Sequence, residues 1–137
     1  MYIEGPDFGS ANYTGELYGM FGCTFIDHGT SSSFGNVISV EGQDGSIAQG
    51  ANYDYLYQEG PDNFVDEIGE NGGTMIFKSQ ESKGRAVCYS GLTDNYRAIH
   101  SAFIFGALRN GTNTKAELMT RYMEYFAELT GIEEYGS

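Results

Sequence analysis

The spacing of apolar and polar residues predicts short strands that alternate with short helices. Apolar runs bounded by glycine, proline or polar turns are typical of strands, whereas apolar residues three and four apart are typical of helices. The predicted strands are Met1–Glu4, Cys23–Asp27, Val37–Glu41, Thr74–Lys78, Arg85–Ser90 and Tyr96–Phe105. The predicted helices are Thr14–Phe21, Asn63–Glu70 and Lys115–Thr130. The run 96–105 is long and apolar, so we expect it at the centre of a sheet.

The closing helix carries the clearest signals. Thr114 and Glu117 form a capping box at its start, in which the threonine side chain accepts a backbone hydrogen bond. Its expected buried face consists of Leu118, Met119, Tyr122, Met123, Phe126 and Leu129.

Strands that are apolar on both faces indicate helices on both sides of a mostly parallel sheet. We therefore expect a single three-layer α/β domain over residues 1–137. The segments 74–78 and 85–90 are joined by a turn too short for a parallel crossover, so they should form an antiparallel hairpin.

Three alternating tyrosines, Tyr53, Tyr55 and Tyr57, share one face if their segment is extended. Two interpretations stay open. The rings pack on the domain from an edge strand, or they form an aromatic platform for sugar rings, as in a carbohydrate-binding module.

The charge is strongly acidic, −12 overall, and residues 1–77 contain twelve Asp and Glu but no Lys or Arg. A nucleic-acid partner is excluded because phosphate binding needs clustered basic residues. No apolar run reaches the length of a membrane span. The acidity is consistent with solubility, with a bound cation or with a basic partner.

Several polar residues are candidates for chemistry. Asp27 ends a predicted strand and His28 follows it. Ligands bind at this end of the strands in α/β sheets, so the pair could serve a hydrolase. Ca²⁺ is the one cofactor we consider, because it prefers several oxygen ligands. Its candidate ligands are Glu4, Asp7, Asp27 and Asp44. His100 lies within an apolar run and is expected in the core.

Both cysteines, Cys23 and Cys88, lie in apolar surroundings and are expected to be buried. A disulfide between them stays open. Neither is flanked by the glycines of a nucleophile elbow, which argues against a catalytic thiol.

Six segments follow one another in a recognisable order: Tyr2-Ile-Glu-Gly-Pro-Asp-Phe8, Thr14-Gly-Glu-Leu17, Phe21-Gly-Cys23, Gly73-Thr-Met-Ile-Phe77, Gly84-Arg-Ala-Val-Cys-Tyr-Ser90 and Tyr96–Phe105. This order resembles the C-terminal half of the class I glutamine amidotransferase-like, flavodoxin-like domains of large secreted bacterial surface proteins and gingipain-type peptidases. The resemblance implies a flavodoxin-like fold and an extracellular or cell-surface location.

Active members of that family carry a catalytic His and acid where this chain reads Phe103-Ile-Phe-Gly106. We therefore expect a non-catalytic structural or interaction module, not an enzyme. The resemblance also implies a strand–helix portion ahead of Tyr2, so the chain would be a fragment or a shortened domain. Its first strand lacks lysine and would then be an open edge, which could pair with copies of the chain or with the rest of a parent protein.

Overall fold

The computed structural model describes residues 1–12, 14–29, 37–55, 65–91 and 96–135. The strands are β1 Tyr2–Glu4, β2 Cys23–Asp27, β3 Ser39–Gly42, β4 Asn52–Tyr55, β5 Glu67–Glu70, β6 Thr74–Ser79, β7 Gly84–Ser90, β8 Arg97–Ser101 and β9 Leu108–Arg109. The α-helices are α1 Phe8–Asn12, α2 Glu16–Gly19 and α3 Lys115–Tyr135. A 3₁₀ turn, Phe105–Ala107, precedes β9.

Seven strands form one sheet in the order β1-β8-β7-β6-β3-β4-β9. The β1–β8 pair is parallel, with Tyr2 beside Ile99 and Glu4 beside Ser101. The five other pairings of this sheet are antiparallel. The strands β2 and β5 form a separate antiparallel pair.

The predicted three-layer, mostly parallel, flavodoxin-like fold is wrong. The described part of the chain is a mixed, mainly antiparallel sheet with one long helix, since α1 and α2 have only five and four residues. The prediction failed because strands that are apolar on both faces need two covering layers but not crossover helices. Here α3 covers one face, and α1, α2 and the β2–β5 pair cover the other.

Strand β7 shows how the two faces are divided. Ala86 and Cys88 belong to the cluster that contains α3, whereas Val87 belongs to the cluster that contains α2 and β2. This alternation is the normal consequence of strand geometry. The hairpin of β6 and β7 is antiparallel, as the sequence predicts.

Two predicted elements differ in position or type. Residues 67–70 of the predicted helix Asn63–Glu70 form strand β5, and residues 63–64 lie outside the described residues. Pairing with β2 overrides the helical spacing of Val65 and Ile68, both of which are buried. The run 96–105 contributes β8, which lies next to the edge strand β1 and not at the centre of the sheet.

Helix α3 begins as predicted, because the backbone N–H of Glu117 donates to Thr114 Oγ1 at 3.2 Å. Leu118 and Tyr122 are buried, as expected, but Met119 and Met123 are exposed. Arg97 ties the helix to β8: its guanidinium lies 4.7 Å from the centre of the Tyr125 ring and also donates to the Tyr125 carbonyl. Among the described residues, no helix is both long and apolar enough to cross a membrane.

Candidate interaction surface

The strand β1 forms one end of the seven-stranded sheet. Its alternation sends Tyr2 and Glu4 to the α3 side, where Tyr2 lies 6.0 Å from the ring of Tyr122. Ile3 packs on the opposite side, against the cluster that contains α2. Within the described ranges, β8 is the only strand that pairs with β1, so the outer side of β1 is an open sheet edge.

A groove of about 310 Å³ lies between this edge and α3. Its lining consists of Tyr2, Glu4, Phe105, Gly106, Met119, Tyr122, Met123 and Phe126. In the described part of the chain, three of the seven exposed large apolar side chains lie in this groove, namely Tyr2, Met119 and Met123. We call it the β1 groove.

Glu4 is the charged member of the lining, and the fold already engages both of its carboxylate oxygens. Tyr2 donates its hydroxyl to Oε1 at 3.0 Å, and the backbone N–H of Phe105 donates to Oε2 at 3.3 Å. Burial and, next, the charge of Glu4 raise the pKa of Tyr2, so its hydroxyl stays protonated and remains the donor. The β1 groove therefore presents apolar surface beside a carboxylate whose hydrogen bonds are made within the chain.

The apolar surface continues along α3. Ala116, Met119, Thr120 and Met123 are all exposed and uncharged, and their spacing places them on one side of the helix. We call these residues the α3 stripe. Exposed helix faces are normally charged, so a neutral stripe next to an open strand edge is a candidate contact surface.

The opposite end of the sheet is different. It ends in β9, which has two residues, and Arg109 pairs there with Asp54 of β4. The adjoining groove of about 590 Å³ is lined mainly by polar residues, which include Glu41, Asn52 and the loop 110–113. Short length and charge are two common ways to protect a sheet edge from pairing. Of the two ends of this sheet, the β1 end alone combines an unpaired strand with apolar surface among the described residues.

A second cluster of polar groups is buried on the face opposite α3. Tyr18 Oη, Asp66 Oδ1 and His100 Nε2 have no hydrogen-bond partner among the described residues. The rings of Tyr18 and His100 meet edge to face, with centroids 5.4 Å apart. A Cβ atom on Gly9 would lie 2.9 Å from Tyr18 Oη and 3.0 Å from Asp66 Oδ2, so glycine is needed for this close packing.

Burial shifts the pKa values of two groups in this cluster. It lowers the pKa of His100 to about 4, so the imidazole is neutral at pH 7. The hydrogen bond to the Ile3 carbonyl raises this pKa, but its effect is smaller than that of burial. Burial also raises the pKa of Asp66, although Asp66 Oδ2 accepts the backbone N–H of Ser10 at 2.8 Å. The prediction that His100 is a core residue is confirmed, because it is fully buried.

The predicted pair Asp27 and His28 lies at the exposed end of β2. Asp27 Oδ1 accepts the backbone N–H of His28 at 2.9 Å, a local contact that does not involve the imidazole. Between described residues, no hydrogen bond joins this imidazole to a serine or cysteine. The hydrolase assignment of this pair stays a prediction.

The proposed Ca²⁺ ligands are distributed over separate elements. Glu4 is engaged at the β1 groove, Asp7 precedes α1, Asp27 ends β2 and Asp44 lies in the turn between β3 and β4. The described residues contain no group of three or more His, Cys, Asp or Glu side chains arranged to hold a metal ion. Calcium binding stays a prediction.

The tyrosine alternation packs into the core. Tyr53 donates its hydroxyl to the Thr114 carbonyl at 2.8 Å, and Tyr55 accepts the backbone N–H of Ile104 at 2.9 Å. Both rings are buried on the α3 side, so neither offers a face to a sugar. Tyr57 lies outside the described residues. Cys23 and Cys88 are buried, as predicted, and are not bonded to each other.

The β1 groove was not expected from the sequence, because helical spacing placed Met119 and Met123 on the buried face of α3. A signal was present. Apolar residues at 118, 119, 122, 123, 125 and 126 cover more of the helix circumference than a single sheet contact can bury.

Comparison of this chain with protein-family models, curated proteins and solved structures finds no match. The β1 edge and its groove must therefore be interpreted from their own chemistry.

Proposed function

We propose that this chain is a non-catalytic interaction module that binds an extended protein segment along the outer side of β1. The observation that carries this proposal is the joint presence of an open strand edge and the β1 groove. The extracellular or cell-surface location that we propose for the module rests on the sequence resemblance.

Strand addition would use two kinds of contact. The outward backbone groups of β1 would pair with the incoming strand, which gives affinity without regard to sequence. Alternate side chains of that strand would point towards α3, and the β1 groove would select those that are apolar. The methionines suit this role because their unbranched side chains adapt to different shapes.

The net charge of the chain limits further which partners can bind. Several of its basic side chains are engaged within the fold: Arg85 bonds Glu81, Arg97 bonds Glu128 and Arg121 bonds the carbonyl of Gln49. A chain with a net charge of −12 therefore repels other acidic proteins. An incoming strand has to be neutral or basic, or the contact has to be local enough to avoid the acidic surface.

The proposal is tested by selecting displayed peptides of about eight residues on the immobilised chain, followed by amide exchange of the complex. We expect extended sequences with alternating apolar residues, and slower exchange at Tyr2 and Glu4. Glu4→Pro removes an outward N–H and should abolish binding, whereas Glu4→Gln keeps that N–H and should retain it.

A matched pair of variants tests the groove. Met119 and Met20 are almost equally exposed, at 43% and 42%, but only Met119 lies in the β1 groove. Met119→Lys should weaken peptide binding at least tenfold and Met20→Lys should leave it unchanged. Binders that are insensitive to both Glu4→Pro and Met119→Lys would refute the proposed function.

A further inference from the structure

Along β1, the backbone N–H and C=O groups of successive residues point alternately towards β8 and away from it. The Met1 carbonyl accepts the N–H of Ile99, and the N–H of Gly5 donates to the Ser101 carbonyl. These odd-numbered residues therefore direct their backbone groups towards β8. Because the direction alternates along a strand, Tyr2 and Glu4 direct their N–H and C=O groups outwards.

Because of this alternation, the outer edge of β1 can pair with the same edge of a second copy. In an antiparallel pair of two copies centred on Ile3, Tyr2 of one copy lies opposite Glu4 of the other. These are the residues whose backbone groups point outwards, so every outward group of the strand finds a partner. Ile3 then faces its own equivalent across the two-fold axis, which is an apolar cross-strand pair.

Neighbouring registers are poorer. A shift centred on Glu4 would place two Glu4 side chains directly opposite each other, and like charges in that position are destabilising. It would also oppose Tyr2 to Pro6, which has no N–H to donate. A shift centred on Tyr2 would oppose two Tyr2 residues and would place Glu4 opposite no described residue of the other copy.

We propose that the occupant of the β1 edge is a second copy of this chain, joined by antiparallel β1 strands about a two-fold axis at Ile3. This inference rests on the proposed function and names its partner. The pairing would extend the sheet across both copies, with both α3 helices on the same side of it. Their neutral α3 stripes, which include Met119 and Met123, lie next to the shared edge. Glu4 is the charged residue of this groove, and in the proposed register it lies opposite Tyr2 of the other copy while it accepts two hydrogen bonds within its own.

The test is disulfide trapping combined with sedimentation of the complete 137-residue chain. Residues opposite each other at a non-hydrogen-bonded position have Cα atoms about 4.5 Å apart, a distance that a disulfide spans. Mild oxidation of Ile3→Cys should therefore give a covalent dimer. Tyr2→Cys is the matched control, because its partner is Glu4 and not itself, and it should stay largely uncrosslinked. The native cysteines are buried and contribute little background.

The unmodified chain should show a monomer–dimer equilibrium by sedimentation. Dimerisation should strengthen at least threefold between about 0.05 and 0.5 M NaCl, because salt screens the repulsion between the acidic copies. Glu4→Pro should be monomeric at every salt concentration.

A chain that stays monomeric up to the highest soluble concentration, with no difference in crosslinking between Ile3→Cys and Tyr2→Cys, overturns the second-copy inference. The peptide selection then separates the two proposals. Peptides that still bind in a manner sensitive to Glu4→Pro would leave the proposed function standing with a different partner. Absence of any such peptide would remove both.

Discussion

The two faces of the seven-stranded sheet are covered by different means. On the α3 face, the long helix packs on aromatic residues of several strands, and the hydroxyls of Tyr53 and Tyr55 both have backbone partners. Tyr122 Oη and Arg97 Nε are atoms of that face left without a partner among the described residues. In the described part of the chain, the other face has only short elements above it, and it encloses three unpartnered polar atoms, on Tyr18, Asp66 and His100.

This difference indicates which face makes the stability of the fold depend on pH. Apolar burial on the α3 face stabilises the fold irrespective of pH. The opposite face contains a neutral histidine and a desolvated carboxyl group, so its contribution depends on their protonation. Substitutions on the two faces should therefore differ both in size and in pH dependence.

The largest effect is expected from Phe103→Ala on the α3 face. Phe103 is fully buried and meets Phe77 at 5.4 Å and 90°, and Tyr55 at 6.3 Å and 81°. Its truncation should cost about 3–5 kcal/mol of unfolding free energy, measured by urea denaturation. Phe8→Ala on the other face removes a partly buried ring and should cost clearly less. Equal losses would contradict the contrast between the faces.

Acidification should act through His100. Its folded pKa of about 4 lies below the ordinary value of 6.5, so the unfolded chain binds this proton first. Stability is therefore lost as the pH falls from about 6.5 to about 4, by an amount on the order of 3 kcal/mol. Unfolding by urea at pH 7 and at pH 4 measures the change.

Two variants isolate the contribution of that histidine. His100→Leu should lose less unfolding free energy on acidification than the native chain, because it lacks the contribution of His100. The other titrating groups are the same in both proteins. His28→Gln, at the exposed histidine, should retain the full loss. The same acid sensitivity in His100→Leu and in the native chain would show that His100 is not its source.

Gly9→Ala tests the packing of the polar cluster. The added methyl group would approach Tyr18 Oη, Asp66 Oδ2 and Phe25 Cδ1 within 3.2 Å, so a loss of about 1–3 kcal/mol is expected from overpacking. Gly19→Ala is the matched control in a neighbouring short helix, where a Cβ would have nothing within 4 Å. It should be neutral or stabilising by up to about 1 kcal/mol. Thermal unfolding of both variants decides between local crowding and a general effect of alanine.

Elements and pairings that depend on a few neighbouring residues were predictable from the sequence, whereas pairings between distant strands were not. The capping box at Thr114 and the polar turn between β6 and β7 act over a few residues, so the sequence pattern indicates them directly. The parallel pairing of Tyr2 with Ile99 joins distant parts of the chain. No local signal specifies such a contact. The apolar strands were also consistent with more than one kind of covering layer, either crossover helices or short helices with a strand pair.

The candidate surface escaped the sequence analysis for a related reason. Helical spacing shows that Met119 and Met123 lie near Tyr122, but only the position of β1 at the end of the sheet decides that these methionines stay exposed. Tyr53 and Tyr55 show the converse. Their alternation correctly indicated one shared face, and the interpretation that those rings pack on the domain is confirmed by their burial. Their strand is not the edge strand that was expected, because β4 lies between β3 and β9.

The smallest effect is expected from Asp66→Asn. Burial raises the pKa of Asp66, and the neighbouring charge of Asp7 raises it further. The stability linked to this group is therefore complete below the ordinary pKa of 3.8 and is lost as the pH rises through the folded value. An amide keeps an acceptor for the Ser10 N–H and carries no charge, so Asp66→Asn should raise the unfolding free energy slightly at pH 7, as measured by urea denaturation. Near pH 3, where the native carboxyl group is protonated, the two proteins should be equally stable. An unfolding free energy that falls at pH 7 but not near pH 3 would mean that the carboxylate is needed as a charge, through its attraction to Arg85, and that this face is held by ion pairing.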